Sequence, residues 1–189
     1  MLITTRRMRW IPALAVTVAG IMACGVVAQP ESSKTTAAFE VPLPTKADRE
    51  AFLSVLSEVA KPEGLHVDFS GPEDLERRAA VYRMTLSAAV WKGENDDEVI
   101  ASALDGPDHL GRVWLAFSKG ENPAMNERFR DAAMREIMRH CPQTLSLPIM
   151  PTGAIPLARD LVRTPQGYVV NPNEAAKYEA ASPASSRNE

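Results

Sequence analysis

Val81-Tyr82-Arg83-Met84-Thr85-Leu86-Ser87-Ala88-Ala89-Val90-Trp91 is the stretch on which the fold class turns. Two periods fit it. Leu75, Ala79, Tyr82, Leu86 and Ala89 mark one face of a helix, whereas Met84, Leu86, Ala88 and Val90 alternate as in a strand. The helical stripe starts earlier and has a start signal, Ser70-Gly71-Pro72-Glu73-Asp74, with proline in the first turn and acids at the positive helix end. The helical reading leads. It gives a mainly α, small domain of four or five helices over residues 46–140, and α+β is the alternative if 81–91 is a strand.

The flanking segments carry the same pattern. Thr45 caps a helix with Asp48 three residues on, and Phe52, Val55, Leu56 and Val59 recur at the 3.6 period until Lys61-Pro62. Leu65–Phe69 alternates, as a short strand or an extended link. Asn95-Asp96-Asp97-Glu98 reads as another helix start, closed by Gly106-Pro107. Asp108 then caps a segment with Leu110, Val113, Trp114 and Phe117 at helical spacing before Gly120. Asn122-Pro123 opens the clearest helix, with Met125, Phe129, Ala132, Ala133, Ile137 and His140 on one side and Pro142 as its stop. Beyond it Pro148, Pro151, Pro156, Pro165 and Pro172 break any long helix and give a proline-rich extended C-terminal arm. Within that arm 145–150 and 167–170 are short extended candidates, able to pair as a ribbon or to wrap the helices, and Leu157–Val162 suits a single helical turn.

Composition is that of a packed protein. The chain has 189 residues, 45% hydrophobic and 24% charged, which suits one modest domain. Two cysteines make neither a disulfide scaffold nor a four-cysteine zinc site. A formal charge of −3 argues against nucleic acid as partner, because phosphate binding needs clustered Lys and Arg.

The N-terminus specifies export. Arg6, Arg7 and Arg9 precede an almost unbroken apolar run to Ala23, shorter than the ~20 residues of a membrane span. Arg6-Arg7 lacks the rest of a twin-arginine signal. Ile21-Met22-Ala23-Cys24 resembles the lipobox of bacterial lipoproteins, and the resemblance implies cleavage before Cys24 and lipidation of its thiol. Gly25 stands where an inner-membrane lipoprotein typically carries Asp, so the resemblance further implies the outer membrane. The competing cut falls after Ala28, following Val26-Val27. Residues 1–23 (or 1–28) are thus the signal peptide, 24–45 a flexible Ser/Thr/Pro-rich linker, 46–173 the globular domain and 174–189 a disordered tail. Without the signal the charge becomes −6, so any meeting with a membrane runs through an acyl chain rather than basic side chains.

Motifs for chemistry are sparse. There is no G-x-S-x-G, no P-loop and no G-x-G-x-x-G, so no cofactor is implied. His66, His109 and His140 are scattered. A metal site from His109, His140 and Cys141 is outweighed by the ordinary placing of His140 at a helix C-terminus. For Cys141, simple burial outweighs a reactive thiol, because that terminus opposes a thiolate. Asp96, Asp97, Glu98, Asp105 and Asp108 lack calcium-loop spacing and read as caps and solvated acids. Trp91 and Trp114 read as core.

Two functional classes remain. One is an exported, lipid-anchored, non-enzymatic module that binds or supports another envelope protein in the periplasm. The other is a small soluble periplasmic enzyme or ligand carrier with a site from Asp108, His109 and Arg112.

Overall fold

A computed structural model describes residues 31–69, 86–93, 98–105 and 111–179. Its elements are β1 (Thr35–Pro42), α1 (Lys46–Ala60), β2 (His66–Phe69), β3 (Ser87–Lys92), β4 (Glu98–Leu104) and β5 (Arg112–Ser118). They are followed by α2 (Pro123–His140), β6 (Leu145–Ser146), β7 (Leu161–Thr164), β8 (Gly167–Val170) and α3 (Ala175–Glu179). The class is α+β. An antiparallel six-stranded sheet in the order β2-β3-β4-β5-β1-β6 forms the frame, and β7 and β8 make a separate hairpin. This overturns the mainly α expectation, and with it the description of the domain as helical.

The correction begins at the deciding stretch. Residues 87–91 belong to β3, with Leu86, Ala88 and Val90 buried, so alternation wins wherever that stretch is described. The cap at 70–74 and most of the competing helical stripe lie outside the described residues. The segment expected as a helix after Asp108 is β5. Val113, Leu115 and Phe117 face the core, while Arg112, Trp114, Ala116 and Ser118 point the other way. The segment after Asn95 contains β4. Its alternation is concealed because Val90 pairs with Ala101 while Trp91 pairs with Val99, leaving Ile100 as the extra residue of a bulge. The Ser118 hydroxyl braces that bulge from β5, donating to the Val99 carbonyl at 2.6 Å and the Ile100 carbonyl at 3.2 Å.

Residues 35–42, expected as linker, form β1 between β5 and β6. Pro42 closes the strand, where its missing N–H leaves the register from Ala37↔Phe117 to Pro42↔Arg112 intact. The C-terminal strands pair differently from either sequence option: β6 joins β1, and β8 pairs with β7. Residues 175–179, inside the expected tail, form α3, from which the Tyr178 hydroxyl donates to Asp160 at 2.6 Å.

Both long helices lie where their sequence signals place them. Thr45 and Asp48 form a reciprocal capping box at the start of α1. Asn122 caps α2 through a bond from the Met125 amide, Pro123 occupies its first turn, and Arg139 and His140 sit at its negative end. Phe52, Leu56 and Ala60 of α1 and Phe129, Ala133 and Ile137 of α2 bury against Val41, Val90, Val113, Leu115 and Phe117 of the sheet. At the centre the Phe129 and Phe117 rings meet edge to face at 6.0 Å. One sheet face is therefore a helix-covered core.

Candidate functional site

Chain direction aligns the two helices. β1 ends beside Arg112 and hands over to α1, which runs back along the sheet, whereas α2 starts beyond Ser118, next to Thr35. The helices are consequently antiparallel neighbours. Between them, on the side away from the sheet, runs a groove of about 620 Å³. Val55 and Val59 of α1 and Ala132 of α2 give it apolar lining, and the short side chains of Ala51 and Ser54 keep one wall low.

The rim is charged. Arg128 donates to both oxygens of Glu63, from Nε at 3.1 Å and Nη2 at 2.8 Å, closing the groove near the end of α1. That fork holds the Glu63 carboxyl below the usual carboxylate range and raises Arg128 further. Glu58 is tied to Lys61 at 2.8 Å, and Arg139 to Glu136 one turn back. Arg135 lines the groove between these pairs and forms no ion pair among the described residues.

The opposite sheet face carries a second polar cluster. Glu40 of β1 is 6% exposed and accepts from three side chains: Trp114 Nε1 at 3.3 Å, Arg112 Nη1 at 3.4 Å and the Tyr168 hydroxyl at 2.8 Å. Burial, then the bond to Glu40, pushes the Tyr168 hydroxyl's pKa up. Tyr168 stands on β8, so the cluster fastens the β7–β8 hairpin to the sheet. Asp160 and Tyr178 do the same for α3, with the Leu157 amide donating to the Tyr178 oxygen at 3.1 Å. Glu40 of β1 thus ties β5 and β8 together through these three bonds, which makes the cluster a structural lock.

The residues singled out in the sequence scatter across this frame. Cys24, Asp96, Asp97, Asp108 and His109 lie outside the described residues. Arg112 goes to Glu40 instead of a ligand site. Trp114, expected in the core, is half-buried on the second face with its indole N–H on that same carboxylate. Asp105 is no solvated acid: it is 2% exposed, and its Oδ1 accepts the Leu86 amide at 2.9 Å. Glu98 accepts the Glu121 amide at the start of α2 and faces Lys92 at 3.6 Å. His140 lies at the end of the groove. No group of three His, Cys, Asp or Glu residues among the described residues is placed to hold a metal ion.

Cys141 sits just past α2, packed against the edge of the core. Burial pushes its thiol pKa up, and the charge of Asp48 adds to the shift. Iodoacetamide at pH 8 should therefore alkylate Cys141 more slowly in the folded protein than in the same chain in urea. Cys141→Ala should cost about 1 kcal/mol. A folded-state rate matching the denatured one would contradict this placement.

Sequence reasoning missed Glu40 and Tyr168. Phe39, Val41 and Leu43 alternate around Glu40, but Pro42 and Pro44 mask that signal. Nothing local marks Tyr168 as the partner of a residue 128 positions away. Comparison with family models, curated proteins and solved structures finds no match for this chain in any of the three.

Proposed function

We propose that this protein is an exported, lipid-anchored module of the cell envelope that holds another envelope protein in the groove between α1 and α2. The observation that carries the reading is the groove: an apolar trough between two capped helices, edged by ion pairs. A buried apolar strip within a charged rim is the composition of a protein–protein contact. The N-terminal sequence supports the anchor, since Cys24 closes a lipobox-like tetrapeptide after a basic, apolar leader.

Geometry limits how such an anchor works. From Cys24 to Glu31 the chain reaches at most about 25 Å when fully extended. Glu31 and Lys34 lie at the sheet end where α2 begins, with the Lys119 amide donating to the Lys34 carbonyl at 2.8 Å. An acylated Cys24 would hold that end near the bilayer, with α2 running away from it. The standoff is shorter than a linker over 24–45 provides, because β1 already belongs to the sheet.

Mass spectrometry of the mature N-terminus tests the anchor. The expected product begins at Cys24 and carries a diacylglyceryl group, and several acyl chains are needed for durable attachment. Cys24→Ser should block acylation and either release the protein or stall its precursor. A wild-type product beginning at Gln29 and recovered in the soluble fraction would remove the anchor from the proposal.

A further inference from the structure

We infer that the occupant of the α1–α2 groove is an amphipathic helix of about three turns whose apolar stripe lies on Val55, Val59 and Ala132 and whose carboxylate meets Arg135. This rests on the docking reading above and adds the chemistry of the partner.

Length and backbone chemistry point to a helix. The α2 wall runs from Arg128 to His140, which is about 18 Å at 1.5 Å per residue, the length of some twelve helical residues. Both walls are helices whose mid-segment N–H and C=O groups are already bonded within each helix. An extended peptide would find no backbone partners along them, whereas a helix brings its own bonds and needs only side-chain packing. The small Ala51, Ser54 and Ala132 leave room for such a ridge to enter.

Charge specifies the rest. The rim holds Arg128, Arg135 and Arg139 against Glu58, Glu63 and Glu136. Glu63 takes Arg128, Glu136 takes Arg139, and Lys61 takes Glu58, which leaves Arg135 as the surplus cation of the rim among the described residues. A guanidinium beside an apolar strip gains most from one carboxylate placed on it as the strip is covered, where water no longer competes. A rim otherwise balanced, with three carboxylates on it, offers little to an anionic lipid surface, whose attraction needs several clustered cations. One complementary acid on a helix matches the pattern.

The test uses the full chain in cells that produce it. A photo-crosslinking amino acid at exposed Ser54 should give an adduct with one envelope protein, and mass spectrometry should map it to an amphipathic helix bearing Asp or Glu. Arg135→Glu should cut the adduct at least ten-fold, Arg135→Lys should retain most of it, and changing the partner's acid to Lys should restore it with Arg135→Glu. Arg135 is exposed, so the melting temperature of both variants should match wild type and exclude misfolding. If Val59→Asp abolishes the adduct and Arg135→Glu does not, docking stands and the carboxylate assignment falls. No adduct from the wild-type chain overturns docking and assignment together. An adduct to lipid, to a second copy of this chain or to its own residues 70–85 overturns the partner helix.

Discussion

Glu40→Ala should lower the unfolding free energy by about 3 kcal/mol, to be read by urea denaturation of the mature protein. The carboxylate is almost fully buried and takes three donors, so its removal strands them unequally. The Arg112 side chain is 42% exposed and returns to water at small cost. The Trp114 indole and the Tyr168 hydroxyl are half-buried, and each loses a bond worth about 1 kcal/mol, with a further desolvation cost where water cannot replace it. Tyr168→Phe alone should cost about 1 kcal/mol, and the double variant should fall short of the sum because the two changes remove one shared bond. Limited proteolysis should cut the β7–β8 hairpin of Glu40→Ala well before global unfolding. A loss below 1 kcal/mol with the hairpin still protected would show that the cluster is not the lock described here.

The same residues explain what the sequence could reveal. α1 and α2 were readable because capping is local: Thr45 with Asp48, and Asn122 with Pro123, lie within one turn of the elements they start. Strands depend on partners far along the chain. In β5 a helical template matches Val113, Trp114 and Phe117, whereas a period of two matches Val113, Leu115 and Phe117, so the two readings differ only in the place of Trp114 and Leu115. Trp114 decides between them, because an indole N–H bound to Glu40 requires the face opposite Val113. That partner is 74 residues away. The β4 bulge has a similar effect, since it buries Ile100 and Ala101 in succession and erases the alternation by which a strand is recognised.

The groove was half legible. Val55, Val59, Phe129 and Ala132 were readable as apolar positions on two helices, yet only the fold shows that the sheet takes one side of each stripe and leaves the other open. Arg135 looks like any solvated arginine in sequence. Its distinction is relational: its neighbours Arg128 and Arg139 are matched by Glu63 and Glu136, and among the described residues it is not.

Gly120→Ala should cost about 3 kcal/mol, far more than a glycine ending a helix would. In sequence this glycine looked like the stop of a helix begun at Asp108. In the structure it turns the chain from β5 into α2 at φ +66°, with its amide donating to the Ser32 carbonyl at 2.8 Å. A Cβ there would fall 2.6 Å from Glu98 Oε1 and closer still to Asn126 Nδ2, which is fixed by its bond to the Lys119 carbonyl at 2.9 Å. Left-handed backbone alone costs about 1–2 kcal/mol in a residue with a Cβ, and forcing atoms into a packed junction adds about 1–3. Gly64 separates the two contributions. It has almost the same φ, +69°, with nothing within 4 Å of a Cβ, so Gly64→Ala reports the backbone alone. Asparagine tolerates that backbone yet brings the same Cβ, so Gly120→Asn should be no milder than Gly120→Ala. Asn126→Ala removes the nearest obstacle, and combined with Gly120→Ala it should lose less than the two changes made separately. Equal costs at Gly120 and Gly64 in thermal and urea unfolding would mean that Glu98 and Asn126 yield freely; a clear excess at Gly120 would mean that they clamp the start of α2 against the sheet.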